Sequence, residues 1–195
     1  MKKFLLITVL GIMCFSFASF AQEMNKEMTP EMKAWMEYMT PGEMHKLLAK
    51  CVGEWKSKIT MWMAPDTPPT TTDGSAVYEM ILGERYLQSK HTGIFSGMPM
   101  EGLGLDAYDN AKKTFCSIWI DNFGTGVMQM EGKYDAATKT ISYLGTSVDP
   151  MTGKDVKVRE TIKFIDDNHS EMDMYMIDGD KEFKSMHIDL ERKQN

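Results

Sequence analysis

At 195 residues, with a formal net charge of −6 and 22 Lys and Arg against 28 Asp and Glu, the chain is the size of one ordinary domain. It lacks the clustered positive charge that binding to a nucleic-acid backbone requires. Catalytic signatures are missing too: there is no Gly-x-Ser-x-Gly, no His-Glu-x-x-His, no P-loop and no Cys-x-x-Cys.

Residues 1–21 read as a signal peptide. Lys2 and Lys3 precede an apolar run over 4–17, and Ser19 and Ala21 supply small residues at the cleavage positions. The run is too short for a spanning helix. Cys14 follows Met13 rather than a small residue, which argues against a lipid anchor. The expectation is an exported protein, periplasmic or secreted, without a membrane anchor. Its formal charge of −6 falls to about −8 once Lys2 and Lys3 are removed. Two cysteines then remain, Cys51 and Cys116. An oxidising compartment permits a disulfide, and two buried free thiols fit the spacing equally.

The mature chain divides into a helical segment over 22–46 and a barrel domain over 47–193. The first part is rich in methionine. Met24, Met28, Met32 and Met36 recur every four residues, a spacing that places them on one helical face. Thr29 is a cap and Pro30 the first helical residue. Pro41-Gly42 breaks this helix. A second, over 41–50, presents Met44, Leu47, Leu48 and Cys51 on one face and is expected to close one end of the barrel.

Gly53 then permits a tight turn, and Trp55 opens a strand. Trp55, Ser57, Ile59, Met61 and Met63 alternate with Lys56, Lys58, Thr60 and Trp62, the period of a strand buried on one side. The stretch 64–74 is rich in Pro and Thr and reads as a mobile connection at the barrel mouth. Strands follow over 75–82, 84–95, 103–109, 114–121, 127–134, 140–149, 156–165, 169–177 and 181–191, each bounded by Gly, Asp, Asn or Pro. With the strand at Trp55 this makes roughly ten. The fold class is therefore all-β, an up-and-down antiparallel barrel preceded by one or two short helices. Met172, Met174 and Met176 share a face, as do Val156, Val158, Ile162 and Phe164. Gly102 and Gly104 read as turn geometry.

The chain resembles a bacterial family, the domain of unknown function numbered 1579, a lipocalin-like group. The matching words are Leu48-x-x-x-x-Gly53-x-Trp55, Gly83-Glu84-Arg85-Tyr86-Leu87, Gly102-x-Gly104-x-x-x-Tyr108-Asp109-Asn110 and Lys112-Lys113. They continue with Trp119-Ile120-Asp121, Gly132-x-Tyr134-Asp135, Asp149-Pro150-x-Thr152-Gly153 and Glu191-Arg192-Lys193. Ala107 stands where the family has a glycine. The resemblance implies a calycin-type barrel in which Arg192, on the last strand, packs over Trp55 behind Gly53. It brings no established activity. Some similar ten-stranded barrels hold haem through a histidine, a role that would fall to His91.

Five residues are candidate ligand contacts. Trp119 and Asp121 share a strand face, so the carboxylate either fixes a ligand beside the indole or accepts N–H groups of the turn over 122–126. Glu160 interrupts an apolar face and inside a barrel would need a partner. Arg85 and His91, placed on one face of their strand, could supply one. His45, His169 and His187 look exposed. Two uses are open for the 20 methionines: a plastic lining for apolar ligands, or soft thioether ligands for Cu(I) at Met24, Met28, Met32 and Met36. The leading functional reading is a barrel binding a small hydrophobic or amphipathic ligand in its lumen. The alternatives are an enzyme using Asp121 or Glu160 as acid or base, or a copper-binding protein. The sequence specifies no cofactor and no oligomeric state.

Overall fold

The structure, a computed structural model, describes residues 28–194. The expected signal peptide and Met24 lie outside the described residues. The described residues fall into two compact units, divided between Thr40 and Pro41.

The described part of the first unit is helix α1, Pro30–Met39. Thr29 caps it as expected, its hydroxyl accepting the Met32 N–H at 3.3 Å, with Pro30 where no N–H is needed. None of its residues is buried.

The second unit opens with α2, Glu43–Ala49, whose Leu47 and Leu48 are buried. The ten strands of the described residues follow: β1 Gly53–Met61, β2 Thr70–Ile81, β3 Tyr86–Phe95, β4 Met98–Asp109 and β5 Thr114–Asp121. After them come β6 Met128–Asp135, β7 Thr140–Val148, β8 Asp155–Phe164, β9 His169–Asp178 and β10 Lys181–Arg192. Every neighbour pair is antiparallel, and β1 pairs with both β2 and β10, so the sheet closes on itself. No helix among the described residues is long and apolar enough to cross a membrane.

One end of the barrel is plugged. Leu47 and Leu48 of α2 pack into a buried cluster with Leu87, Phe115, Ile141, Tyr143 and Val158. Fully burying such side chains stabilises by roughly 1.5–3 kcal/mol each. Trp55 fills the neighbouring wall, 3% exposed, and its Nε1–H donates to the Cys51 carbonyl at 2.7 Å. Arg192 lies over the Trp55 ring, 4.2 Å from its centroid. The same guanidinium donates to the carbonyls of Lys50 at 2.6 Å, of Asp167 at 2.9 Å, and of Val52. Gly53 is required here: its φ is +130°, and a Cβ would meet Arg192 Nη1 at 2.8 Å.

Several boundaries and placements differ from the sequence expectations. β2 begins at Thr70 because Pro65, Pro68 and Pro69 all precede it, leaving a shorter connection over 62–69 at the end opposite α2. Arg85 is not on β3. Leu82, Gly83 and Glu84 all take positive φ, at 51°, 68° and 61°, and this turn breaks the alternation that had linked Arg85 to His91. His45 is buried, at 6% exposure, with its ring edge-on to Tyr108 of β4 at 5.9 Å and its Nδ1 accepting the Gly42 N–H at 3.0 Å. Gly102 and Gly104 lie within β4 and not in a turn. Cys51 and Cys116 are both free thiols.

Candidate functional site: the barrel lumen

Inward-facing residues of all ten strands surround a cavity of about 370 Å³. At the α2 end it begins at Leu48 and Cys51. At the other end Ile94, Phe95, Met100 and Phe123 rim it, with the Phe95 and Phe123 rings 4.9 Å apart. Seven methionines line it: Met61, Met100, Met128, Met130, Met172, Met174 and Met186. Period two along each strand puts them there, and their unbranched side chains can repack around different shapes.

Four aromatic and imidazole rings run in sequence around one wall. Trp55 stands edge-on to Tyr78 at 6.4 Å, Tyr78 to His91 at 5.5 Å, and His91 to Trp119 at 5.1 Å. Gly102 makes room for the last of these. A Cβ there would fall 2.3 Å from Trp119 Cζ2, so the indole lies against bare β4 backbone. Trp119 Nε1–H donates to Asp121 Oδ2 at 2.7 Å, and the Phe123 N–H donates to Asp121 Oδ1 at 2.9 Å. Asp121 thus closes the turn, the second of the roles open to it, and holds the indole as well. Burial holds the His91 imidazole neutral, its pKa pushed down to about 4.

Deeper in the lumen, β4 and β8 contribute two buried carboxyl groups. Glu160 is 7% exposed and makes no hydrogen bond or ion pair with the described residues. Burial first, and the nearby Asp106 charge second, push its pKa up to about 8. Burial likewise raises Asp106 to about 6, against the lowering effect of hydrogen bonds from Ser117 and Tyr143. The Tyr143 hydroxyl donates to Asp106 Oδ1 at 3.5 Å. Burial also pushes the Cys51 thiol up to about 12 and raises Tyr78 and Tyr143 well above the ordinary tyrosine value. Among the described residues no Lys or Arg lines the cavity.

Of the five candidate contacts, His91, Trp119, Asp121 and Glu160 line this one cavity. Arg85 does not. It is exposed in the turn before β3, donating to the Leu82 and Gly83 carbonyls at 3.2 and 3.0 Å, and so is no partner for Glu160. Asp106 and Tyr143 escaped notice in the sequence. The signal for Asp106 was present, since it follows Gly102 and Gly104 at period two and so faces inward with them.

The residues do not fit a haem. Tyr78 and Trp119 take two sides of the His91 ring, and among the described residues no Lys or Arg lines the lumen to meet the propionates. Met28, Met32 and Met36 are exposed. On the outer barrel surface His169, Glu171 and Asp189 bring three ligand atoms within 4.8 Å of one another. Asp189 Oδ1 lies 3.8 Å from His169 Nε2 and 3.5 Å from His187 Nε2.

A family model described as "Protein of unknown function (DUF1579)" matches residues 40–192. Among solved structures, the chain is similar to Rv2717c from M. tuberculosis, with a TM-score of 0.59 and 15% identity over 80% of this chain and 100% of that one. It is also similar to a redesigned β-barrel, with a TM-score of 0.41 and 18% identity over 78% of this chain and 100% of that one. No curated protein matches. The likeness to Rv2717c extends to the fold.

Proposed function

The chain belongs to the DUF1579 family of proteins of unknown function, and on that footing we propose that it is an exported carrier that binds a small apolar or amphipathic molecule inside its barrel. The observation that carries this reading is the cavity. Its volume of about 370 Å³ falls in the range of small-molecule pockets, roughly 300–1,000 Å³. Its lining is largely apolar, with a few convergent polar groups at His91, Trp119, Asp106 and Glu160. The export half of the proposal rests on Lys2, Lys3 and the apolar run after them. The intact mass of the protein recovered outside the cytoplasm should lack residues 1–21.

The test is titration with N-phenyl-1-naphthylamine, a neutral apolar fluorophore. The expected result is saturable binding at one site. Met174→Trp, which fills the lumen beside Glu160, should abolish it. Absence of binding in the unaltered protein, or binding indifferent to Met174→Trp, would sink the reading.

The buried carboxyl pair favours a second reading, an enzyme in which protonated Glu160 is a general acid and ionised Asp106 a base. Unchanged turnover in both Glu160→Gln and Asp106→Asn, once a substrate is found, would remove it.

A further inference from the structure

Resting on the lumen-binding reading, we infer that the preferred ligand is a cation: a small lipophilic amine whose ammonium group meets the buried Glu160 and Asp106 and whose apolar body lies among the methionines.

The inference starts from what the inner end of the cavity lacks. Glu160 is buried, faces the cavity and has no hydrogen-bonding or ionic partner among the described residues. An unpaired buried carboxylate is costly, and among the described residues no Lys or Arg lines the cavity to relieve it. The groups that share its surroundings are Asp106 from β4, Tyr143 from β7, Tyr78 from β2 and Cys51 ahead of β1. All four are acids, so none can offer positive charge. His91, on β3, stays neutral at ordinary pH because of its burial.

This constellation discriminates among amphipathic ligands of equal length. A carboxylate head would bring a further negative charge to two acids with no counter-charge, the worst case for a dry site. An alcohol would exchange one water contact for one hydrogen bond to Glu160 and gain little. An ammonium can donate a charge-assisted bond to Glu160, and the nearby Asp106 charge favours it further.

The arrangement also has a proton signature. Near pH 7.5 Glu160 is mostly protonated in the empty barrel, its pKa being about 8. An ammonium beside it stabilises the carboxylate, so binding releases the Glu160 proton to solvent. Amine affinity should therefore rise as pH climbs from 6.5 to 8.

The experiment is isothermal titration calorimetry of the purified protein with octylamine, 1-octanol and octanoate at pH 7.5. Octylamine should bind at least tenfold more tightly than 1-octanol, with octanoate weakest. Repeating the amine titration in buffers of different ionisation enthalpy should show between half and one proton released. In Glu160→Gln the amine-to-alcohol affinity ratio should fall at least fivefold and the proton release should vanish. Octanol binding as tightly as the amine, or octanoate binding more tightly, would overturn the cation inference and leave the lumen carrier intact. If none of the three binds, both fall together.

Discussion

Trp119 and Asp121, two residues apart on β5, hold each other on the lumen face through a 2.7 Å bond from the indole Nε1–H to Oδ2. The strand period alone would bring them side by side. The second carboxylate oxygen, occupied by the Phe123 N–H, turns that proximity into a fixed geometry.

Asp121→Ala should therefore release the indole as well as the turn. Bonds to a charged acceptor contribute about 1.5–3 kcal/mol when buried, and half-burial here puts the expected loss near 1–2 kcal/mol. Urea unfolding and acrylamide quenching of tryptophan emission measure the two effects. Unaltered quenching would show that packing against Gly102, not the carboxylate, positions the ring.

Gly102→Ala examines that packing directly. Its Cβ would meet Trp119 Cζ2 at 2.3 Å, so the indole must move or β4 must bend. Overpacking of this kind costs about 1–3 kcal/mol. Trp119→Leu removes the obstructing ring, and a double-mutant cycle should recover most of the Gly102→Ala loss. Additive losses would mean that the added methyl disturbs something other than Trp119.

Arg192→Lys should be poorly tolerated although charge is kept. A lysine cannot stack its end group on Trp55 while donating to three carbonyls in the plane of a guanidinium. The expected loss is about 2–3 kcal/mol, from the hydrogen bonds and the cation–π contact together. Thermal unfolding measures it, and a change within about 0.5 kcal/mol would refute it.

Stability should decline as pH rises from 6.5 to 8. Between its unfolded pKa near 4.5 and its folded value of about 8, Glu160 binds more protons in the native state than in the unfolded one. Each step up in pH therefore favours unfolding. Asp106 acts in the same direction but only to about pH 6. His91, depressed to about 4, acts oppositely and only below 6.5, so it offsets the carboxyl groups there and leaves Glu160 alone above. The decline over this window should be on the order of 1–2 kcal/mol. Urea unfolding across pH 6.5–8 checks it, and in Glu160→Gln the slope should flatten.

The barrel was legible because its strands are regular and its turns chemically marked. β5 was bounded to the residue, with a positive-φ Lys113 just before it and Asp121 closing it. The Arg192–Trp55 contact came through the family resemblance rather than from alternation. Alternation also put Trp119, Glu160 and Met174 on the inner face. It failed where the backbone leaves the strand, as at Leu82, Gly83 and Glu84, which carried Arg85 out of the lumen. It could not reveal that β4 and β8 place Asp106 close to Glu160 across the barrel, because strand period reports face and not distance across a lumen. His45 escaped for another reason: its ring packs against Tyr108 of β4, a contact with a distant element that a helical-face pattern does not encode.

The closure of the sheet has a consequence for the order in which the chain can fold. β1 finds its second partner only in β10, and Arg192 joins the carbonyls of Lys50 and Val52 across almost the whole barrel sequence. During synthesis the meander can grow from β1 to β9, but it carries two open edges until the last strand emerges. Closing so distant a contact also incurs its entropic cost late, which makes the final step slow. A chain lacking only its last few residues would expose β1 as a sticky edge, and its characteristic failure would be aggregation rather than a merely looser barrel.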